Sequence, residues 1–192
     1  MAQRDWVEWH RDYDDLGSPL SRRLELVQGH LRAELDHAPA GDIRLISLCA
    51  GQGRDVIGVL TGHPRRDDVR ARLVELDERN AAVARQAVQA AGLVGVEVLQ
   101  ADAGITDVCA GAAPAQIVMV CGIFGNISVS DIQATVAALP SLCAPSALVL
   151  WTRHRRPPDL TPRSGPGSGR RASARRRSTS AMTAACRWAR TG

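Results

Sequence analysis

The chain of 192 residues has no lysine, so arginine carries every fixed positive side-chain charge. Aromatics are nearly as scarce, with one Phe, one Tyr and four Trp, so a core has to be assembled from the abundant Ala, Val and Leu. No apolar run approaches the roughly 20 residues of a membrane span, which argues against an integral membrane protein. The polar start "MAQRDWVEWHRDYDD" has no signal-peptide pattern. The five cysteines (Cys49, Cys109, Cys121, Cys143, Cys186) form no C-x-x-C pair and are odd in number. That excludes a zinc ribbon and a disulfide framework, predicts no metal site, and fits a reducing, cytoplasmic setting.

One further absence is regional. All 20 acidic residues precede Arg163, where 16 arginines leave a net charge of −4, whereas residues 163–192 hold 8 arginines and no acid. The overall charge of +4 is therefore made by the tail alone, and the body does not call for nucleic acid.

What is present reads as alternation. "SPLSRRLELVQGHLRAELDHA" spaces Leu20, Leu24, Val27, Leu31 and Leu35 at helical intervals, with Ser18 before Pro19 as a cap and first-turn pair. "DIRLISLCAGQG" is a buried strand ending in a glycine turn, and "RDVIGVLTGH" a helix. Strand "VRARLVELD", helix "ERNAAVARQAVQAAG" stopped at Gly92, and strand "VGVEVLQAD" follow. "AQIVMVCGIFG" is a fourth strand, "SDIQATVAALPSLC" a helix capped by Ser130 and broken near Pro140, and "SALVLWTR" a fifth strand. Such alternation predicts an α/β fold, a doubly wound Rossmann-like parallel sheet with helices on both faces.

Three features at the carboxyl edge of that sheet carry chemistry. Gly51 and Gly53 join a strand to a helix, so a ligand can approach the backbone closely and an anionic group is favoured by the helix-start amides. The third glycine of a dinucleotide-binding turn is absent from "GQGRDV", which disfavours a nicotinamide cofactor. Asp77, at the end of "RLVELD", is placed to accept hydrogen bonds from a ribose diol, or simply to cap the next helix. Asp102 ends the third strand on the same edge, where it can meet an adenine amino group.

In order and rough spacing, "ISLCAGQGRD", "LVELDERN", "VLQADAG" and "IVMVCGIFGNIS" resemble the first four motifs of class I S-adenosylmethionine-dependent methyltransferases, over about residues 40–155. The nearest resemblance is to small actinobacterial-type members of unassigned substrate. It implies S-adenosyl-L-methionine as cofactor, with Cys49, Ala50, Gly51, Gln52 and Gly53 along its methionine and ribose side. Asp77 would hold the ribose hydroxyls, Asp102 and Ala103 would meet adenine, and Cys121 and Gly122 would lie beneath the sulfonium. Two positions depart from the pattern, Ser47 where the family has an acid and Cys49 where it has glycine.

Methyl transfer needs chiefly an aligned nucleophile and exclusion of water. Tyr13, His10, Asn126 and His154 are the groups within reach of the carboxyl edge, none marked as catalytic by its context. "CGIFGN" replaces the Asp/Asn-Pro-Pro-aromatic turn of amino-methylating nucleic-acid enzymes, and Cys121 lacks the preceding proline of cytosine methylases, so a small-molecule acceptor is expected. Trp6, Trp9 and Tyr13 suggest a lid. Residues 1–39 are thus expected as an N-terminal helical cap, 40–162 as the cofactor-binding domain, and 163–192 as a disordered basic tail. A non-catalytic or degenerate cofactor binder, or a nucleic-acid module using that tail, is the rival.

The resemblance also implies a helix and an antiparallel hairpin after the fifth strand, for which the tail has no suitable pattern. Its Arg, Ser, Gly, Pro and Ala are what G+C-rich codons yield out of frame, and regrouping codons from Pro162 permits an amphipathic helix followed by a strand. The expectation is a frameshifted end, to be checked by resequencing across that codon.

Overall fold

The structure, a computed structural model, describes residues 5–154 and 181–187. Two short helical turns open it, α1 (Trp6–Trp9) and a 3-10 turn (His10–Tyr13), followed by the long helix α2 (Pro19–His37). Ser18 caps α2, accepting from the Ser21 amide, with Pro19 in the first turn, as the sequence predicts.

Strands β1 (Ile43–Leu48), β2 (Val69–Glu75), β3 (Val96–Gln100), β4 (Ala115–Val120) and β5 (Cys143–His154) alternate with α3 (Arg54–Leu60), α4 (Glu78–Ala90) and α5 (Val129–Leu142). With β6 (Ala181–Arg187) they form one sheet in the order β3-β2-β1-β4-β5-β6. β1 to β5 run parallel. The order runs one way from β1 through β2 to β3 and the other way through β4 and β5. The carboxyl ends of β1 and β4 therefore part at a switch point, where open α/β sheets bind ligands.

Both faces of the sheet are covered, which is why its strands read as continuous apolar runs. Leu45, Leu73, Ile117 and Met119 point into one core with Val27, Leu31 and Leu35 of α2 and Val56 and Leu60 of α3. Their strand neighbours Ile46, Val74, Val118 and Val120 point the other way, into a second core with Leu139 and Leu142 of α5. At about 1.5–3 kcal/mol for each buried aliphatic side chain, these two layers dominate the stability of the body. The stripe of α2 thus belongs to the body. The segment before it, residues 5–17, caps the cleft through Trp6, Trp9, His10 and Tyr13, and Arg23 of α2 joins them.

Three expectations change. The cap of α5 is Ser128, in a reciprocal capping box with Asp131, because Asp131 rather than a residue beyond it falls at the third helical position. Pro140 stands inside α5 without ending it, two residues before the end. Residues 181–187, expected without structure, pair antiparallel with β5 from Leu148–Arg187 to His154–Ala181. The outer edge of β5 offers a row of unpaired peptide groups, and "AMTAACR", free of Gly and Pro, supplies a strand for it. The expectations for residues 155–180 and 188–192, and so most of the basic tail and its reading-frame hypothesis, lie outside the described residues.

Candidate functional site

A cleft of about 450 Å³ opens at the switch point. Its floor comes from Cys49, Ala50 and Gly51 after β1, one wall from Glu75, Leu76, Asp77 and Asn80 at β2 and α4, and the opposite wall from Cys121 to Ile127 after β4. Trp6, Trp9, His10 and Tyr13 of the cap and Arg23 of α2 close the top.

The floor is a backbone turn in the left-handed region, with φ of 49° at Cys49, 58° at Gly51 and 70° at Gly53. The two glycines need no side chain for different reasons. A β-carbon on Gly51 would stand 2.3 Å from His10 Nε2, whereas one on Gly53 would stand 2.7 Å from Ile57 Cδ1 and 2.9 Å from Leu73 Cδ2. Gly51 thus lets His10 of the cap sit against the turn, and Gly53 lets α3 pack on the sheet. Cys49 holds a conformation costing a non-glycine residue roughly 1–2 kcal/mol, at the position where the resemblance has glycine.

Glu75, the last residue of β2 and almost fully buried, fixes the turn. Its Oε2 accepts from the Gly51 amide at 2.7 Å and its Oε1 from the Asp77 amide at 2.9 Å. An ionised carboxylate has about four acceptor sites, so two remain for a ligand. Next to it, Leu76 is 64% exposed at the rim of the cleft.

Asp77, expected to hold a ribose, is instead engaged by its own helix. Its side chain caps α4 through the Arg79 and Asn80 amides and its Oδ2 pairs with the Arg79 guanidinium at 2.9 Å. The hydrogen bond from the Arg79 side chain, with the capping amides, holds its carboxyl below the usual range. β2 ends two residues before Asp77, so the acid at the strand end is Glu75. The stretch "DERN" is itself a helix-start signature.

The other expected site residues divide. Cys49, Ala50, Gly51, Asp77, Cys121, Gly122, Tyr13 and Asn126 meet in the cleft. Gln52 does not line it. It is buried, its amide donating to Asn80 Oδ1 at 3.3 Å and its carbonyl accepting from Arg54 Nε at 3.0 Å. Asp102 is exposed beyond β3, accepting from the Gly104 amide at 2.8 Å, and Ala103 packs against the second core. Neither lines the cleft. The His154 side chain lies outside the described residues.

Asn126 is held by its amide donating to the Gly122 carbonyl at 2.6 Å, and the Gly122 amide donates to Thr152 Oγ1 at 2.7 Å. Neither cleft thiol is poised to ionise. Desolvation first, then the Glu75 and Asp102 carboxylates, push Cys49 up to about 12, and desolvation raises Cys121 as well. Among the described residues no three His, Cys, Asp or Glu side chains cluster as a metal site.

His10, which the sequence presents as a polar loop residue, is 8% exposed. Its Nδ1 lies 2.6 Å from the Trp6 carbonyl and so carries the proton, which turns Nε2 toward Gly51 as a bare acceptor. Desolvation lowers its pKa. The cap is hooked to α2 by Ser18 Oγ, donating to the Asp12 carbonyl at 2.6 Å, and by Ser21 Oγ, donating to the Tyr13 and Asp15 carbonyls at 2.9 and 2.7 Å.

This order of strands, with its glycine turn at the switch point, is the Rossmann-like fold of class I S-adenosylmethionine-dependent methyltransferases. Solved structures with that fold bear this out. One is an O-methyltransferase family protein from Burkholderia thailandensis, 19% identical with a TM-score of 0.59 over 77% of this chain and 43% of that one. Another is a SAM-dependent methyltransferase from Thiobacillus denitrificans solved with S-adenosyl-L-homocysteine, 17% identical with a TM-score of 0.51 over 66% and 47%. A SAM-dependent methyltransferase from Geobacter sulfurreducens, also with S-adenosyl-L-homocysteine, gives 17%, 0.50, 66% and 47%. This chain therefore spans less than half the length of each. No family model and no curated protein matches its sequence.

Proposed function

We propose that this protein is an S-adenosyl-L-methionine-dependent methyltransferase acting on a small molecule in the cytoplasm. The observation that carries the reading is the Glu75 carboxylate at the end of β2, bonded to the Gly51 amide across a cleft at the switch point. The residues fit the cofactor. Gly51 puts no side chain on the turn, Glu75 keeps two acceptor sites for the ribose hydroxyls, Leu76 offers an apolar face to a planar base, and Cys121 and Gly122 flank the methionine side. In this reading Glu75 takes the ribose role that the sequence alone assigned to Asp77.

When bound, the cofactor supplies an electrophilic methyl group. The chain's own task is then alignment and exclusion of water. Trp6, Trp9 and Tyr13 roof the cleft in edge-to-face contacts, with Trp9 5.9 Å from Trp6 and 5.8 Å from Tyr13. Asn126 is oriented by Gly122 along the opposite wall. The enclosed volume suits a small acceptor. Among the described residues no helix is long and apolar enough to cross a membrane.

Calorimetric titration of the full chain with S-adenosyl-L-homocysteine and with NAD tests this. Saturable binding of the first and none of the second is expected. Binding of NAD alone, or of neither ligand by a folded sample, contradicts it.

A further inference from the structure

His10 lines the cleft, and the reading above gives its ring no task. The ring is clasped inside the cap. Its Nδ1 is bonded to the Trp6 carbonyl, the Trp9 ring meets it edge-on at 5.1 Å, and the Tyr13 ring lies 5.7 Å away. The remaining edge faces the floor. A β-carbon on Gly51 would stand 2.3 Å from Nε2, 3.0 Å from Cε1 and 3.5 Å from Cδ2, so the imidazole fills the space that a side chain at position 51 would take.

That space is where a ligand gains from the glycine. A glycine between a strand and a helix permits close approach to the backbone, and Gly51 is the residue whose amide the Glu75 carboxylate holds. A ligand that uses the turn in this way and a ring already resting on it compete for one surface. The ring's hold is by packing alone: among the described residues Nε2 has no hydrogen-bond partner, and a buried acceptor left unmatched weakens the contact it sits in.

Desolvation is the largest influence on the ring and favours its neutral form while it rests on the turn. Charged groups face it from three elements besides the cap. Glu75 of β2 favours the charged ring, as the Trp6 carbonyl does, whereas Arg54 of α3 and Arg23 of α2 oppose it. Arg23 stands over the far wall, its Nη1 4.0 Å from where a β-carbon on Gly122 would be. The cap itself is tied to the body away from the ring, by Ser21 Oγ to the Tyr13 and Asp15 carbonyls and by Asp14 to Arg54.

We propose that His10 is an autoinhibitory plug: resting on Gly51, it closes the glycine turn, and the cofactor binds to the molecules whose cap has lifted the ring away. The proposal rests on the cofactor reading above. It gives the cap two positions, with the ring on the turn when the cleft is empty and off it when the cleft is filled. The apparent affinity is then the intrinsic one reduced by the fraction of molecules with the ring lifted.

Calorimetry with S-adenosyl-L-homocysteine on the wild type, His10→Ala and Ser21→Ala, each checked for folding by urea unfolding, tests the plug without turnover. With the ring seated in about nine-tenths of the molecules, His10→Ala should bind about 10-fold more tightly than the wild type. Ser21→Ala keeps the ring but loosens the cap, and should bind about threefold more tightly; it carries the test if His10→Ala does not fold. The lifted, solvated ring takes up a proton more readily than the seated one, so the gap between the wild type and His10→Ala should narrow from about pH 8 to about pH 6. A His10→Ala variant that binds as the wild type does or more weakly, a Ser21→Ala variant no tighter than the wild type, or a gap that widens on acidification overturns the plug while leaving the cofactor reading standing. No binding by any of the three folded proteins overturns both.

Discussion

The floor of the cleft and its roof are held by different forces. At the floor, the turn after β1 is tied by hydrogen bonds to almost fully buried groups, Glu75 to the Gly51 amide and Asn80 to Gln52, over two apolar cores. The roof is a short segment hooked to α2 by the Ser18 and Ser21 hydroxyls and otherwise fastened by exposed ion pairs, Asp5 with Arg79 at 3.2 Å and Asp14 with Arg54 at 2.8 Å, and by ring contacts. Exposed pairs contribute little and are screened by salt, whereas removing a buried hydrogen-bond partner leaves a desolvated group unsatisfied. The difference implies a preorganised floor and a roof whose closure depends on conditions and on what lies beneath it.

The sharpest way to break the floor is Gly53→Val. It combines a left-handed backbone with contact on Ile57 and Leu73, and should cost about 3 kcal/mol in urea unfolding. Cys49→Gly should act in the opposite sense, stabilising the same turn by about 1 kcal/mol in the same assay, since it removes a side chain from a left-handed position. Gly51→Ala should separate the two regions. The new β-carbon meets His10 rather than the core, so the cap opens and Trp6 and Trp9 fluorescence changes, while urea unfolding loses only the roughly 1–2 kcal/mol of the left-handed backbone, less than in Gly53→Val.

The mildest perturbation is pH. Desolvation depresses the pKa of His10 in the folded protein, outweighing the Trp6 carbonyl and the Glu75 charge, which favour the ring's charged form, while Arg54 and Arg23 oppose it. The unfolded chain then binds the extra proton more readily. The stability His10 gives the cap is complete above the ordinary histidine value and declines as pH falls through it. Tryptophan emission should change on acidification below about pH 6.5, and the change should vanish in His10→Gln.

The architecture was legible because its signals are local: apolar runs for the doubly covered strands, a 3.6-residue stripe for α2, and Ser18-Pro19 at its start. The cap of α5 was misplaced by two residues because "SVSD" offers two serines, and only the position of Asp131 chooses between them. β6 escaped notice because its partner is the edge of β5, which no local pattern reveals. In the site, the glycine turn is legible as a strand-to-helix connection. Which acid ends β2 is not, because Glu75 and Asp77 stand two apart and the choice depends on the register with β1, where Leu48 pairs with Val74. The burial of His10 and the placement of Arg23 beside Gly122 arise from packing between distant segments and have no signature in the sequence.

That pair of acids offers the most direct test of the central claim, that Glu75 holds the cofactor while Asp77 caps a helix. S-adenosyl-L-homocysteine affinity should be measured by calorimetry in Glu75→Ala and Asp77→Ala, with urea unfolding in parallel. Asp77→Ala should lose about 1 kcal/mol of stability, as a missing helix cap does, and change affinity by only a few-fold. Glu75→Ala should lose about 2 kcal/mol, from the stranded Gly51 and Asp77 amides, and bind no ligand detectably. The reverse pattern, with binding abolished in Asp77→Ala and retained in Glu75→Ala, would contradict the account.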